Sequence, residues 1–225
     1  MADLGSGAFA NLLRYRTAES IDAVVISHMH ADHFIDIVPM RYALKYGDRT
    51  GDGKVALYLP PGGAAMLKRL VDAFARESSA DFLGDVFDVR TYDPQAELRV
   101  GEATFRFAPT SHYVPTYAMR CESASLAVAY SADTAPDPRV ARLAFEADAF
   151  VCEATLSIED EAERPRGHIS AREAGALAHS ASAKTLVLSH YPASADPARM
   201  TAQAVAEYGG PVTVADDGFR LDLGR

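Results

Sequence analysis

The sequence predicts an α/β fold in which two mixed sheets pack together with helices outside. Two patterns carry that expectation. Strand-length apolar runs alternate with helix-length amphipathic stretches on both flanks of the chain, and strand-length runs follow one another through its middle. Composition agrees, since 48% of the 225 residues are apolar, enough for a substantial core.

In chain order, Ala23 to Ser27 (AVVIS) is a buried strand. Asp32 to Tyr46 has helical spacing, with Ile35, Val38, Tyr42 and Tyr46 roughly on one side. Val55 to Leu59 is a strand broken by Pro60-Pro61-Gly62-Gly63, and Ala64 to Ala75 is a helix striped by Met66, Leu67, Leu70, Val71 and Phe74. Val86 to Tyr92, Glu97 to Val100 and Ala103 to Ala108 are strands, and Tyr117 to Cys121 with Ser125 to Tyr130 forms a hairpin. The second half changes character: helix Pro138 to Phe145, strand Ala149 to Cys152, helix Ala171 to Ser180, strand Thr185 to Ser189, helix Pro197 to Tyr208, and final strands near Val212 and Phe219. No linker or repeat interrupts the series, so residues 1–225 are expected to form a single domain.

The net charge of −9 argues against a long nucleic-acid partner, whose phosphates call for a basic face. Two cysteines, Cys121 and Cys152, are too few for a disulfide-stapled secreted protein and are expected to be reduced packing residues. There is no signal-peptide pattern, and no apolar run approaches the roughly 18–20 residues of a membrane span, so a cytoplasmic protein without membrane attachment is expected.

The chemistry is concentrated in Ser27-His28-Met29-His30-Ala31-Asp32-His33, which follows a strand and opens a helix. His28 and His30 are two apart and point the same way in an extended segment. Asp32 and His33 then project from a first helical turn. Such crowding is costly unless a cation accepts the lone pairs.

His28-x-His30-x-Asp32-His33 resembles the signature of the metallo-β-lactamase superfamily, whose fold is an αββα sandwich. The further motifs of that family have matches in order: His112 after the strand ending at Ala108, Asp133 in Tyr130-Ser131-Ala132-Asp133-Thr134, and His190 in Leu188-Ser189-His190-Tyr191-Pro192. The resemblance implies two divalent metal ions. Metal one takes His28, His30 and His112, metal two takes Asp32, His33 and His190, and Asp133 bridges them. These donors suit zinc, with manganese or iron as alternatives. Metals so paired sit about 3.5–4 Å apart and lower the pKa of a shared water toward ~7.

Two more matches narrow the subgroup. Cys152-Glu153-Ala154-Thr155 and Gly167-His168-Ile169-Ser170 resemble the His-Glu-Ala-Thr and Gly-His-Ser-Thr motifs of ribonuclease Z and its relatives, with Cys152 in place of His. In that family the Glu orients a His near the scissile phosphate, which implies a catalytic set of Glu153, His168 and Asp32. The pattern is also similar to bacterial ribonuclease Z-like proteins that hydrolyse cyclic AMP. A dinuclear hydrolase of small phosphodiesters is therefore expected. The alternatives are a tRNA 3′-processing endonuclease and a promiscuous hydrolase of lactones, esters, phosphotriesters or sulfate esters. Only about twenty residues separate His112 from Asp133, too few for the tRNA-clamping arm of bacterial ribonucleases Z. His179, late in a helix, is expected to be an exposed residue without a chemical role.

Relatives place a β-hairpin ahead of the Asp-Leu-Gly-Ser-Gly segment found here at residues 3–7, and this fold is expected to lack it. An unpaired sheet edge is then expected, covered in a homodimer through Phe9, Leu12 and Leu13.

Overall fold

The computed structural model describes residues 1–47, 53–76, 78–162 and 165–223. It resolves into two compact units, Met1–Asp93 and Pro94–Arg225.

In the first unit the described elements are α1 (Ala8–Leu12), β1 (Ala23–Val25), α2 (Ala31–Phe34), α3 (Ile37–Tyr46), β2 (Val55–Leu59), α4 (Gly63–Asp72), α5 (Ser79–Gly84) and β3 (Phe87–Thr91). The sheet order is β1-β2-β3, parallel throughout, which corrects the expectation that both sheets are mixed. Helical crossovers between successive strands produce that arrangement. The β1 edge is not bare. Residues 1–3 run parallel to it, with Val25 N–H donating to Met1 O at 2.9 Å and Asp3 N–H to Val25 O at 2.9 Å. Phe9 is 5% exposed within a core that includes Ile26, Met40, Leu57, Leu67 and Phe87, so it cannot serve as an interface residue as expected.

The continuous helix expected over Asp32 to Tyr46 is broken between Phe34 and Ile37. The cause is competition for backbone groups. Asp36 N–H donates to Leu4 O at 3.1 Å, and Leu4 N–H donates to His33 O at 2.7 Å. Gly5 packs so closely that a Cβ there would lie 1.6 Å from Asp32 O. Only glycine allows that approach.

The second unit contains β4 (Leu98–Val100), β5 (Ala103–Pro109), β6 (Tyr117–Glu122), β7 (Ala127–Tyr130), α6 (Pro138–Leu143), β8 (Ala149–Glu153), α7 (Ala171–Ser180), β9 (Leu186–Ser189), α8 (Pro197–Tyr208) and β10 (Val212–Val214). Its sheet runs β10-β9-β8-β7-β6-β5-β4. The meander β4–β7 is antiparallel, and β7–β10 is parallel. Short turns allow the first arrangement, and intervening helices build the second. The predicted β6–β7 hairpin is present. No strand forms at Phe219, because Phe219 N–H closes a turn onto Asp216 O at 3.0 Å beside Gly218 at φ 81°. Phe150, Ile169, Leu186 and Leu188 centre the core, with small residues of α7 against α8. Among the described residues no helix is long and apolar enough to cross a membrane.

Candidate metal centre

The loop after β1 delivers the first donor set. His30 has extended backbone (φ −76°, ψ 144°) and caps α2, and Asp32 and His33 lie in the first turn, as the spacing predicts. His28 Nε2 is 3.1 Å from His30 Nδ1, close to the separation of two nitrogens bound to one tetrahedral cation with bonds of about 2.0–2.1 Å. His33 Nε2 is 3.7 Å from an Asp32 carboxylate oxygen. His28 and His33 are buried, whereas the Asp32 side chain is 63% exposed.

One carboxylate organises this set. Asp3 accepts the Ser27 N–H at 2.6 Å, the Ser27 hydroxyl at 2.7 Å and His33 Nδ1–H at 2.7 Å. The Ser27 hydroxyl spends its proton on Asp3, so at 3.0 Å from His28 Nδ1 it acts as acceptor. Both rings thereby carry their proton on Nδ1 and keep a lone pair on Nε2. Asp3 itself has left-handed backbone, φ 54°.

The second donor set comes from loops at the ends of separate strands of the second unit. Asp133 is 2% exposed, with Oδ2 3.7 Å from His112 Nε2 and Oδ1 3.6 Å from His190 Nε2, one oxygen toward each imidazole. His112 Nδ1–H donates to Gly167 O at 2.8 Å. His190 Nδ1–H donates at 2.8 Å to Thr155 Oγ1, whose own proton goes to His190 O. Asp133, His168 and His190 bring ligand atoms within 4.8 Å of one another. The loop carrying His112 is braced against the loop carrying Asp133. Thr110 Oγ1–H donates to Asp133 O at 2.7 Å, and Ser111 Oγ–H to Asp137 at 2.9 Å. Ala132 and His190 both have left-handed backbone, φ 49°.

Glu153 and His168 are together in this unit. His168 Nδ1 lies 3.1 Å from both Glu153 oxygens, and Glu153 is 1% exposed. Glu153 Oε1 also accepts the Thr134 N–H at 2.6 Å, which fixes the carboxylate. The carboxylate accepts from Nδ1 of His168 and leaves Nε2 as the other polar edge of the ring.

The donors fit divalent metal ions. Four imidazoles, those of His28, His33, His112 and His190, have one ring nitrogen held by a protein acceptor and present the other beside a further imidazole or a carboxylate. This is the outer-shell arrangement that orients metal-binding histidines. Nitrogen and carboxylate donors of this kind suit zinc, manganese and iron alike.

Sequence reasoning missed the orienting groups Asp3, Ser27, Thr155 and the Gly167 carbonyl. Asp3 and Thr155 stand inside motifs that the sequence displays, and that was the available signal. Cys152 is fully buried in the second core, where burial pushes its thiol pKa up and keeps it inert. His179 is exposed, as expected.

Residues 4–191 match the β-lactamase superfamily domain. The chain belongs to that superfamily. Its fold is the metallo-β-lactamase fold, and the crystal structure of the metallo-β-lactamase fold protein YhfI of Bacillus subtilis superposes with TM-score 0.86 at 28% identity, over 97% of this chain and 85% of that one. By sequence this β-lactamase superfamily member is 30% identical over 219 residues to the B. subtilis protein named probable metallo-hydrolase YhfI, covering 97% of this chain and 86% of the relative. It is 29% identical over 272 aligned positions to a protein of Myxococcus xanthus named ribonuclease Z, covering 98% of this chain and 87% of the relative.

Proposed function

We propose that the chain is a dinuclear metal-dependent hydrolase acting on small phosphodiesters such as cyclic nucleotides. The observation that carries this reading is the Glu153–His168 pair set beside Asp133 and His190. Metallo-hydrolase and ribonuclease Z are the names borne by relatives that this chain matches over nearly its whole length.

In this reading His28, His30 and His112 hold one cation, Asp32, His33 and His190 hold the other, and Asp133 serves both, all within one functional domain. The cations, zinc first and manganese or iron as alternatives, supply Lewis acidity that acidifies water and offsets phosphate charge. The chain's own residues do the rest. Glu153 accepts from Nδ1 of His168 and favours the imidazolium. His168 then gives its Nε2 proton to the departing alkoxide oxygen. Asp32, exposed next to His33, belongs to both the ligand and the catalytic set.

A tRNA 3′-processing activity is the second reading, favoured by the ribonuclease Z relative. One feature weighs against it. The alignment with that relative has 272 positions and this chain 225 residues, so at least 47 positions have no counterpart here, whereas the YhfI alignment has 219. A chain of net charge −9 suits a small substrate better than a long nucleic acid. The reading also includes a cytoplasmic homodimer without membrane attachment, with Leu12, partly buried, and Leu13, 47% exposed, as the apolar contacts. Light scattering on a dilution series checks the dimer, and a fully active monomer would exclude it.

The deciding experiment assays zinc-loaded protein against cyclic nucleotides, bis(p-nitrophenyl) phosphate, lactones and precursor tRNA. Turnover of the phosphodiesters with tRNA left intact is expected. Cleavage of precursor tRNA, or turnover of the lactones alone, overturns the reading.

A further inference from the structure

The mechanism above uses His168 and Glu153 but leaves unexplained an ion pair just ahead of them. Arg166 and Glu173 are only 7% and 13% exposed at the side chain, and the guanidinium binds both carboxylate oxygens, at 2.9 and 2.5 Å. A fork of this kind fixes direction as well as distance. Glu173 is itself fixed. It is the third residue of the ten-residue helix α7, where it forms a capping box with the buried Ser170, its N–H donating to Ser170 Oγ and its Oε2 accepting the Ser170 N–H, both at 3.2 Å. Arg166 is thus tied to a rigid helix terminus.

The next two residues carry two different jobs. The Gly167 carbonyl accepts from His112 Nδ1 at 2.8 Å and sets which nitrogen of that ring is left to bind. The His168 imidazole bonds to Glu153. Space at Gly167 is tight: a Cβ there would lie 2.7 Å from His112 Nδ1 and 2.8 Å from a Tyr113 ring carbon. A small displacement of this peptide therefore moves both the ring at 112 and the ring at 168. Downstream the segment is anchored by Ile169, fully buried, whose carbonyl accepts the Leu156 N–H at 2.9 Å. Upstream, the Arg166 fork anchors the residue that adjoins Gly167, while Glu161 makes a separate tie to the Ser170 hydroxyl and Arg172.

We propose that Arg166, through its ion pair with Glu173, is a positioning residue that aims the Gly167 carbonyl at His112 and the His168 ring at its proton-transfer position together. The inference rests on the phosphodiesterase reading for His168 but not for His112, and that difference separates the two tests.

The experiment compares wild type with Arg166→Met and Glu173→Gln. The first keeps the side chain's bulk without its charge. The second keeps the capping box, which glutamine also forms, while removing the charge partner. Three quantities are read: zinc affinity by chelator competition, the His112 tautomer in metal-free protein by imidazole ¹⁵N shifts, and kcat and KM for a dialkyl and a p-nitrophenyl phosphodiester. For Arg166→Met, zinc affinity is expected to fall by about 10–100-fold, as for loss of an orienting partner. The Nδ1–H tautomer of His112 should lose its dominance. kcat for the dialkyl substrate should fall at least about tenfold more than for the p-nitrophenyl one, which needs no proton on its leaving group, with KM little changed. Glu173→Gln should move all three in the same direction by less, and it decides alone if Arg166→Met does not fold. Wild-type zinc affinity and wild-type His112 tautomer in the folded variants overturn the proposal. If wild type cleaves no phosphodiester, the function reading fails, and the affinity and tautomer measurements still decide this one.

Discussion

The two donor sets are built by opposite means. In the first unit four candidate ligands occupy six consecutive residues, and one carboxylate, Asp3, orients two of the rings, directly at His33 and through Ser27 at His28. In the second unit three candidate ligands and the Glu153–His168 pair come from loops and one strand end spread over nearly eighty residues. Each ring there has its own orienting partner: Gly167 O for His112, Thr155 for His190, Glu153 for His168. A concentrated site depends on few supports. A dispersed one depends on the register of its sheet, and each support can fail separately.

The largest effect is expected where the dispersed set converges. Asp133→Ala removes the carboxylate that faces both His112 and His190, so metal content should fall and turnover nearly vanish. Two metals per chain with most activity retained would refute that role. Next comes His168→Ala, expected to lower turnover of poor leaving groups by roughly 10²–10⁴-fold while sparing p-nitrophenyl esters and metal content. Equal losses on both substrates would make His168 a phosphate-positioning group.

The contrast itself is tested by Asp3→Asn against Thr155→Val. Loss of an orienting partner costs about 10–100-fold in metal affinity. Asp3→Asn, which disturbs two rings, should fall near the upper end and Thr155→Val near the lower. Zinc titration of both variants checks this, and equal losses would erase the distinction between hub and single support.

The smallest effect concerns the brace between the loops carrying His112 and Asp133. Burial pushes the Asp137 carboxyl up, but hydrogen bonds from Arg139 and Ser111 outweigh it and hold its pKa below the ordinary aspartate value. A lowered native pKa contributes stability that is full above the unfolded-state value and is lost as pH falls through the native one. Denaturation of wild type and Asp137→Asn from neutral to acid pH should show a constant gap above the ordinary aspartate range that narrows below it. A gap that stays constant into acid would contradict the assignment.

The same contrast explains what the sequence discloses. His28 to His33 is visible because its donors are contiguous, and helix α8 is visible to its ends because Asp196-Pro197 and Gly209 punctuate it. Asp133 and His190 carry little meaning alone and gain it from their order along the chain. Helix α1 went unpredicted because its N-terminal cap is not local: Phe9 N–H donates to the Asp36 carboxylate at 2.9 Å, 27 residues away. Helix α5 did offer a local signal in Ser78 capping Asp81. The break before α3 depends on Leu4 capturing backbone groups and on Gly5 allowing the close approach, a contact that no periodicity within residues 32–46 can reveal.

The left-handed backbone at Asp3, Ala132 and His190 has a consequence for anyone engineering this chain. A non-glycine residue held there costs of order 1–3 kcal/mol, and glycine would relieve it. At Ala132 the relief would also free the peptide that carries Asp133 to swing. The residue that maximises thermal tolerance at such a position is therefore not the one that keeps the carboxylate aimed. A library selected only for heat resistance should drift toward glycine at 132 and lose its hydrolase along the way. One selected for turnover should keep alanine and accept a lower melting temperature.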